Sequence, residues 1–263
     1  MEDTMPTIPE LIVQWRNKQI NGSNLMRALV SHKTWSIPVS EAAAVEMLAK
    51  TNEGTRIQYN RDAEGTNRVM LFSSSDTLNQ YRKNSGIEGS MHFMTTTGTW
   101  VFRMPLEGID QIWIDPLTAD DIFYDKEQFD RLHRMADAVE VEEAITGLRQ
   151  GTPPENALQI VKKYQNYWVP VGVHGDAMRL VMAPDDKGRS LAAVFTYEDT
   201  CGAFLPMAQA HETSGRVEER VLAGPALYSI LNTMPIDGMV FNCNGPVAPV
   251  AFAKGFAQVV LDA

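Results

Sequence analysis

Among the residues of this chain, the set best suited by type and spacing to chemistry is Asn242-Cys243-Asn244-Gly245-Pro246, a thiol flanked by amides, with Asp237 five positions before Asn242. A cysteine attacks as its thiolate, so it needs a nearby cation or histidine to lower its pKa. His174 or His211 can reach it only through the fold. Asp237, Asn242 and Cys243 are therefore the candidate residues for ligand binding or catalysis. The competing reading makes the same segment a turn, because Asn and Gly tolerate left-handed backbone and Pro redirects the chain. The five histidines, His32, His92, His133, His174 and His211, show no i, i+3 or i, i+4 pairing and no His-Glu-x-x-His, so no metal site is expected. Gly-x-Gly-x-x-Gly, a phosphate-cradling Gly-Lys-Ser/Thr and Gly-x-Ser-x-Gly are missing as well. No cofactor is expected from these patterns.

A second kind of chemistry is binding by charge. Between Asp115 and Glu143 stand ten acids against Lys126, Arg131 and Arg134, which is −7 of the formal −10 of the whole chain. One reading is the solvated face of a long helix with acids at its N-terminal turn. The sharper one is a docking surface for a basic protein partner, where concentrated like charge speeds association and makes it salt-dependent. Its candidate residues are Asp115, Asp120, Asp121 and Asp125, with Trp113 as an aromatic anchor framed by charge. Phe123, Phe129 and Leu132 are expected on a packing face while the acids face water.

The elements that must position these residues come in two similar sets. Thr34-Trp35-Ser36-Ile37-Pro38-Val39 is echoed by Asn166-Tyr167-Trp168-Val169-Pro170-Val171, the prolines 132 apart. Val69–Thr77 matches Ala192–Thr200 at 123, keeping Phe, Asp and Thr in register, and Ile109–Asp115 matches Ile236–Asn242 at 127, as Phe129 matches Phe256. Four ordered blocks at nearly constant offset imply a tandem duplication. Residues 1–132 and 133–263 each carry −5, and the boundary is expected near 135–150, giving domains 1–135 and 136–263. In the second half strands are expected at about 167–172, 178–183, 190–196, 217–222 and 237–242, with helices at Glu198–Ala208 and Pro225–Asn232. Turns are expected at Asp185–Gly188 and Asn60–Gly65. In the first half Trp100–Arg103 reads as a strand, and the counterpart of Pro225–Asn232 reads as missing. Asn21-Gly22-Ser23 reads as a turn between two helices, capped by Ser23. Trp35 and Trp168, each at a strand start, are expected in the core. The fold class is mixed α/β: two duplicated modules, each a small mixed sheet with flanking helices.

Composition bounds what such a chain does. At 263 residues, 44% hydrophobic, it has length enough for one large or two small domains. Its acidity argues against a general nucleic-acid binder. Two cysteines, Cys201 and Cys243, are too few for a disulfide framework or a four-cysteine zinc site. The N-terminus lacks the pattern of a signal peptide and no stretch approaches 18 uninterrupted apolar residues, so a cytoplasmic location away from membranes is expected.

The strand–acid–helix block Leu191–Thr200, followed by Ile236-Asp237-Gly238 and the turn to Pro246, resembles the SseB family of bacterial proteins (enhanced serine sensitivity type). Cys243 stands where that pattern expects Pro. The resemblance covers residues 167–262 well and 34–132 weakly, where only Phe72-Ser73-Ser74 and Ile109-Asp110 are kept. It implies α/β modules without an established catalytic site, acting as binding units and in some cases as immunity proteins beside toxins. The function expected is therefore a non-enzymatic, cytoplasmic protein-binding module, in its most concrete form an immunity protein that neutralises a co-encoded basic toxin. The alternative is a small-molecule sensor or enzyme using a cleft between the modules.

Overall fold

The computed structural model describes residues 6–39, 59–61, 63–86, 91–104, 108–175, 177–183, 185, 187–212, 215–245 and 247–263. Asp62, Asp186 and Pro246, which enter the turn expectations above, lie outside them. The chain divides into two compact units, Met1–Ala136 and Asp137–Ala263.

Unit 1 opens with α1 (Ile8–Arg16), whose start is fixed by a capping box between Thr7 and Glu10, and α2 (Gly22–Ser31). Asn21, not Ser23, caps α2, its side chain accepting from the Asn24 N–H at 2.8 Å. β1 (Trp35–Val39) pairs antiparallel with β4 (His92–Thr96). Beside this pair runs a four-stranded sheet in the order β2 (Tyr59–Arg61), β3 (Asn67–Leu71), β5 (Gln111–Ile114), β6 (Ile122–Asp125), with β3 and β5 parallel. A parallel pair needs a long crossover, and α3 (Ser75–Ser85), β4 and α4 (Gly98–Arg103) supply it. Period-two alternation sorts the sheet's side chains. Val69, Leu71, Ile112, Ile114, Ile122 and Tyr124 are buried on one face. On the other, the register aligns Arg68 with Gln111 and Asp125, and Met70 with Trp113 and Phe123. Phe123 belongs to strand β6 and is 42% exposed, so it does not share the packing face of α5 (Lys126–Gln150), where Phe129 and Leu132 are buried.

Unit 2 repeats this element order with one strand more among the described residues. After α6 (Ala157–Lys163), β7 (Tyr167–His174) pairs with β11 (Arg216–Leu222) and with β8 (Ala177–Leu180). A four-stranded sheet runs β9 (Met182–Ala183), β10 (Leu191–Val194), β12 (Gly238–Phe241), β13 (Val250–Ala253), with β10 and β12 parallel and crossed over by α7 (Glu198–His211), β11 and α8 (Gly224–Thr233). α9 (Gly255–Asp262) ends the chain. The fold class is the mixed α/β expected.

Two details correct the sequence reading. Gly98–Arg103 is a helix, not a strand, and it is the element thought missing. Gly98 donates to His32 O at 2.7 Å as Gly224 donates to Tyr164 O at 2.7 Å, each opening its helix. A Cβ at Gly98 would lie 2.3 Å from Val30 O of α2, and one at Gly224 2.2 Å from Lys162 O of α6. The β-rich composition of Thr95–Phe102 conceals this, because packing of the glycine overrides propensity. Second, the counterpart of Trp35 is Tyr167. Both are fully buried and reach back six residues, Trp35 Nε1 to Leu29 O at 3.0 Å and Tyr167 Oη to Val161 O at 2.9 Å. Trp168 instead aligns with Ser36, Ser36 bridging to Phe72 just past β3 and Trp168 to Phe195 just past the strand Leu191–Val194, and Trp168 is only partly buried.

Candidate functional site

Where a parallel strand ends, its last peptide groups lose their ladder partners, and a side chain must take them over. In unit 1 Asp115 does so. It adopts φ 47°, a left-handed geometry that Asp and Asn tolerate, accepts from the Ser73 N–H at 2.8 Å and the Ser73 hydroxyl at 2.6 Å, and donates its own N–H to Leu71 O at 2.8 Å. In unit 2 Asn242 repeats this at φ 53°, accepting from the Thr196 N–H at 3.0 Å and its hydroxyl at 3.2 Å. The carbonyl of Ser73 accepts from His32 Nε2 at 2.9 Å, and that of Thr196 from the Tyr164 hydroxyl at 2.5 Å. Unit 2 adds the buried Glu142, which accepts from the Thr196 hydroxyl and from Asn242 Nδ2 at 3.2 Å.

His32, Ser73 and Asp115 are thus gathered at one point, a set the sequence reading did not assemble. The repeat blocks carried a signal for it, since they align Ser73 with Thr196 and Asp115 with Asn242. The wiring is not that of an activated serine. The Ser73 hydroxyl gives its proton to a carboxylate, and His32 holds a main-chain carbonyl rather than the hydroxyl. Burial raises the Asp115 pKa above its ordinary value against the opposing hydrogen bonds from Ser73 and Thr77, and burial lowers that of His32 against Ser73 O and Asp115.

The acidic stretch disperses. Asp115 and Glu142 are buried, so neither belongs to a surface. A buried carboxylate persists only when hydrogen-bonded, which is why both sit on the strand-end hydroxyls. Asp120 lies 3.6 Å from Arg16 Nη1, whose guanidinium also donates to the carbonyls of Ala119 and Asp121. Asp121 Oδ2 accepts from Trp113 Nε1 at 3.0 Å. Asp125 caps α5, exchanging hydrogen bonds of 2.9 and 3.0 Å with Gln128. Trp113 stacks on Phe123 with ring centroids 4.9 Å apart, and the Arg68 guanidinium lies 5.9 Å and 5.4 Å from the two rings. Trp113, Asp120, Asp121 and Asp125 therefore stand together around β5 and β6, joined by Arg68 and Phe123.

The residues of the catalytic alternative part company. Asp237 is exposed and pins a strand start, accepting from the Ser190 N–H at 2.8 Å and donating to Ser190 O at 2.9 Å. Asp110 does the same with Asn67 in unit 1. Asn242 is spent on Thr196. Cys243 is buried with Cys201 in an apolar cluster, and burial pushes their thiols up to about 11 and about 12. That is opposite to what a nucleophile needs.

The structure also opens a cavity of about 720 Å³ within unit 1, between the start of α1, the end of α2 and the first turn of α3. Ile8, Leu11 and Ala28 form its apolar wall, and His32, Ser73 and Ser74 its polar end. Among the described residues no cluster of His, Cys, Asp or Glu could hold a metal ion, and no helix is long and apolar enough to cross a membrane.

Residues 8–126 match the model of the SseB protein N-terminal domain. No curated protein matches the chain. Among solved structures, Anabaena Tic22 (protein transport) aligns at 8% identity over 82% of this chain and 88% of that one, with a TM-score of 0.21. The family match falls on the half expected to resemble the family weakly, and it contains α1 through β6, the Ser73–Asp115 junction and the Arg68–Trp113–Phe123 stack. Residues 8–126 therefore carry an SseB protein N-terminal domain.

Proposed function

We propose that the protein is a non-catalytic protein-binding module of the cytoplasm and that it engages its partner through the Arg68–Trp113–Phe123 stack. The observation that carries this reading is Phe123, a large aromatic 42% exposed in an ordered strand, stacked on Trp113 and rimmed by Asp121 and Asp125. Aromatic and arginine side chains held rigid at a surface lose little entropy on binding, and such residues dominate interface energetics. The acids around them favour a basic partner. A toxin neutralised by direct binding is the most concrete member of that class. The recurrence of element order and of the strand-end junction supports a tandem duplication, with residues 1–135 and 136–263 as the two SseB-like modules. The family match supports the first.

The test is capture by the tagged protein at about 50 mM and about 300 mM salt, on either side of physiological screening. One stoichiometric basic protein is expected, lost at the higher salt, weakened at least tenfold by Phe123→Ser and made salt-insensitive by charge reversal at Asp120, Asp121 and Asp125. Capture that ignores both substitutions at both salt concentrations overturns the reading.

A further inference from the structure

Among the described residues, a space that unit 2 fills from within stands open in unit 1. Hydrogen bonds set the correspondence. Gln19 N–H to Gln14 O and Thr152 N–H to Gly147 O, both 2.9 Å, end α1 and α5 with the same five-residue turn, which places Pro9 opposite Glu142. His32 and Tyr164 serve the same carbonyl. Ser74 and Tyr197 are the N-caps of α3 and α7. In unit 2 Glu142, Tyr164 and Tyr197 are each 7% exposed. In unit 1 their smaller counterparts, Pro9, His32 and Ser74, line the cavity.

We propose that this cavity is a binding site for a small uncharged phenol, or a ligand presenting one. The frame is one that unit 2 itself closes with two phenol side chains, and about 720 Å³ lies within the range of small-molecule sites. Ile8, Leu11 and Ala28 receive the ring, and the polar end holds His32, whose Nε2 is engaged by Ser73 O, and the Ser74 hydroxyl, which accepts from the Thr77 N–H and keeps a second lone pair for the phenol O–H. The neighbouring carboxylates weigh against an acid. A carboxylate placed as Glu142 is would meet Asp115, behind Ser73, where unit 2 presents the amide of Asn242. Asp76 stands on the rim as well, and the cation there, Lys33, is at its exposed edge. Burial keeps His32 from protonating readily, so it offers no compensating charge near neutral pH. This site is separate from the Arg68–Trp113–Phe123 stack, and either assignment stands without the other.

The probe is 4-methylphenol, with 4-methylbenzoate as the anionic ligand of like size, titrated into the full-length protein and followed by amide chemical shifts and thermal unfolding. Saturable shifts at Ile8, Leu11 and Ala28 are expected with the phenol, and binding of the benzoate at least tenfold weaker. Ser74→Tyr and His32→Tyr each restore the side chain that fills unit 2 and are expected to weaken the phenol at least tenfold while still unfolding cooperatively, Ser74→Tyr at a lower temperature because it removes the side-chain cap of α3. Absence of saturable shifts with the phenol, equal affinity for the benzoate, or undiminished phenol binding by a folded Ser74→Tyr variant overturns the proposal. If neither variant folds, the comparison of the two ligands on the parent protein decides it.

Discussion

Asp115 and Asn242 do the same work with different charge, and the difference is measurable. Each accepts from a main-chain N–H and a hydroxyl at the end of the neighbouring strand. Asp115→Asn is expected to be tolerated, because Asn242 shows that an amide fits there, its NH2 keeping the neighbouring hydroxyl as acceptor. Asp115→Ala leaves the buried Ser73 N–H and hydroxyl unpaired and puts alanine at positive φ, together worth about 2–4 kcal/mol of destabilisation. The pH dependence follows from burial. With the folded pKa of Asp115 raised, its protonated form is the one favoured in the folded protein, and that advantage is lost as pH rises through the folded pKa. Denaturant unfolding from pH 4 to 7 should therefore show Asp115→Asn gaining stability relative to the parent as pH rises. A constant difference across that range would mean that the carboxylate carries no net burial penalty. The pairing of these two positions is legible in the sequence, since the blocks ending in Asp115 and Asn242 align without a gap. Their burial is not, because an aspartate in an acidic run looks the same whether it faces water or a hydroxyl on a strand 42 residues away.

At the scale of elements, the helices α4 and α8 show why propensity misleads. Thr95–Arg103 is rich in β-branched and aromatic residues, yet Thr97 caps a helix, its side chain accepting from the Trp100 N–H at 3.3 Å. The decisive residue is the one without a side chain. Gly98 lets α4 start against the carbonyls of Leu29 and Val30, and Gly224 lets α8 start against those of Val161 and Lys162. Gly98→Ala and Gly224→Ala both force backbone apart, so each is expected to cost about 3 kcal/mol or more, at the upper end of overpacking, and to lower the unfolding temperature by several degrees. Gly202, with nothing within 4 Å of an added Cβ in mid-helix α7, should instead gain about 0.5–1 kcal/mol on substitution by Ala. If all three changes have like effects in thermal unfolding, close approach is not the reason for glycine at the helix starts. The second-half strands and helices were legible because their apolar runs are bounded by Asp, Gly and Pro. β13 was missed because Val250–Ala253 is four residues long and only partly buried, so that no alternation of apolar and polar side chains marks it even though Pro249 and Gly255 bound it.

For the whole molecule the question is where one unit ends, and α5 carries the answer within its own length. The division at Ala136 and Asp137 falls inside this 25-residue helix, between Phe129, which matches Phe256 late in the repeat, and Glu142 and Gly147, which stand opposite Pro9 and Gln14 at its start. Beyond the division, α5 contributes Val139, Val141 and Ile145 to buried positions and Glu142 to the Thr196–Asn242 junction. Burying each of the three apolar side chains is worth about 1.5–3 kcal/mol, set against a total of about 5–15 kcal/mol for a domain. A fragment comprising residues 126–263 is accordingly expected to unfold cooperatively, with near-ultraviolet circular dichroism from its buried tyrosines. One comprising residues 151–263, which keeps every strand of unit 2, should lose both, since Thr196 and Asn242 no longer meet a carboxylate and the positions that α5 covers are open to water. Cooperative unfolding of the shorter fragment at the temperature of the longer one would place the boundary after α5 and make the helix part of unit 1 alone.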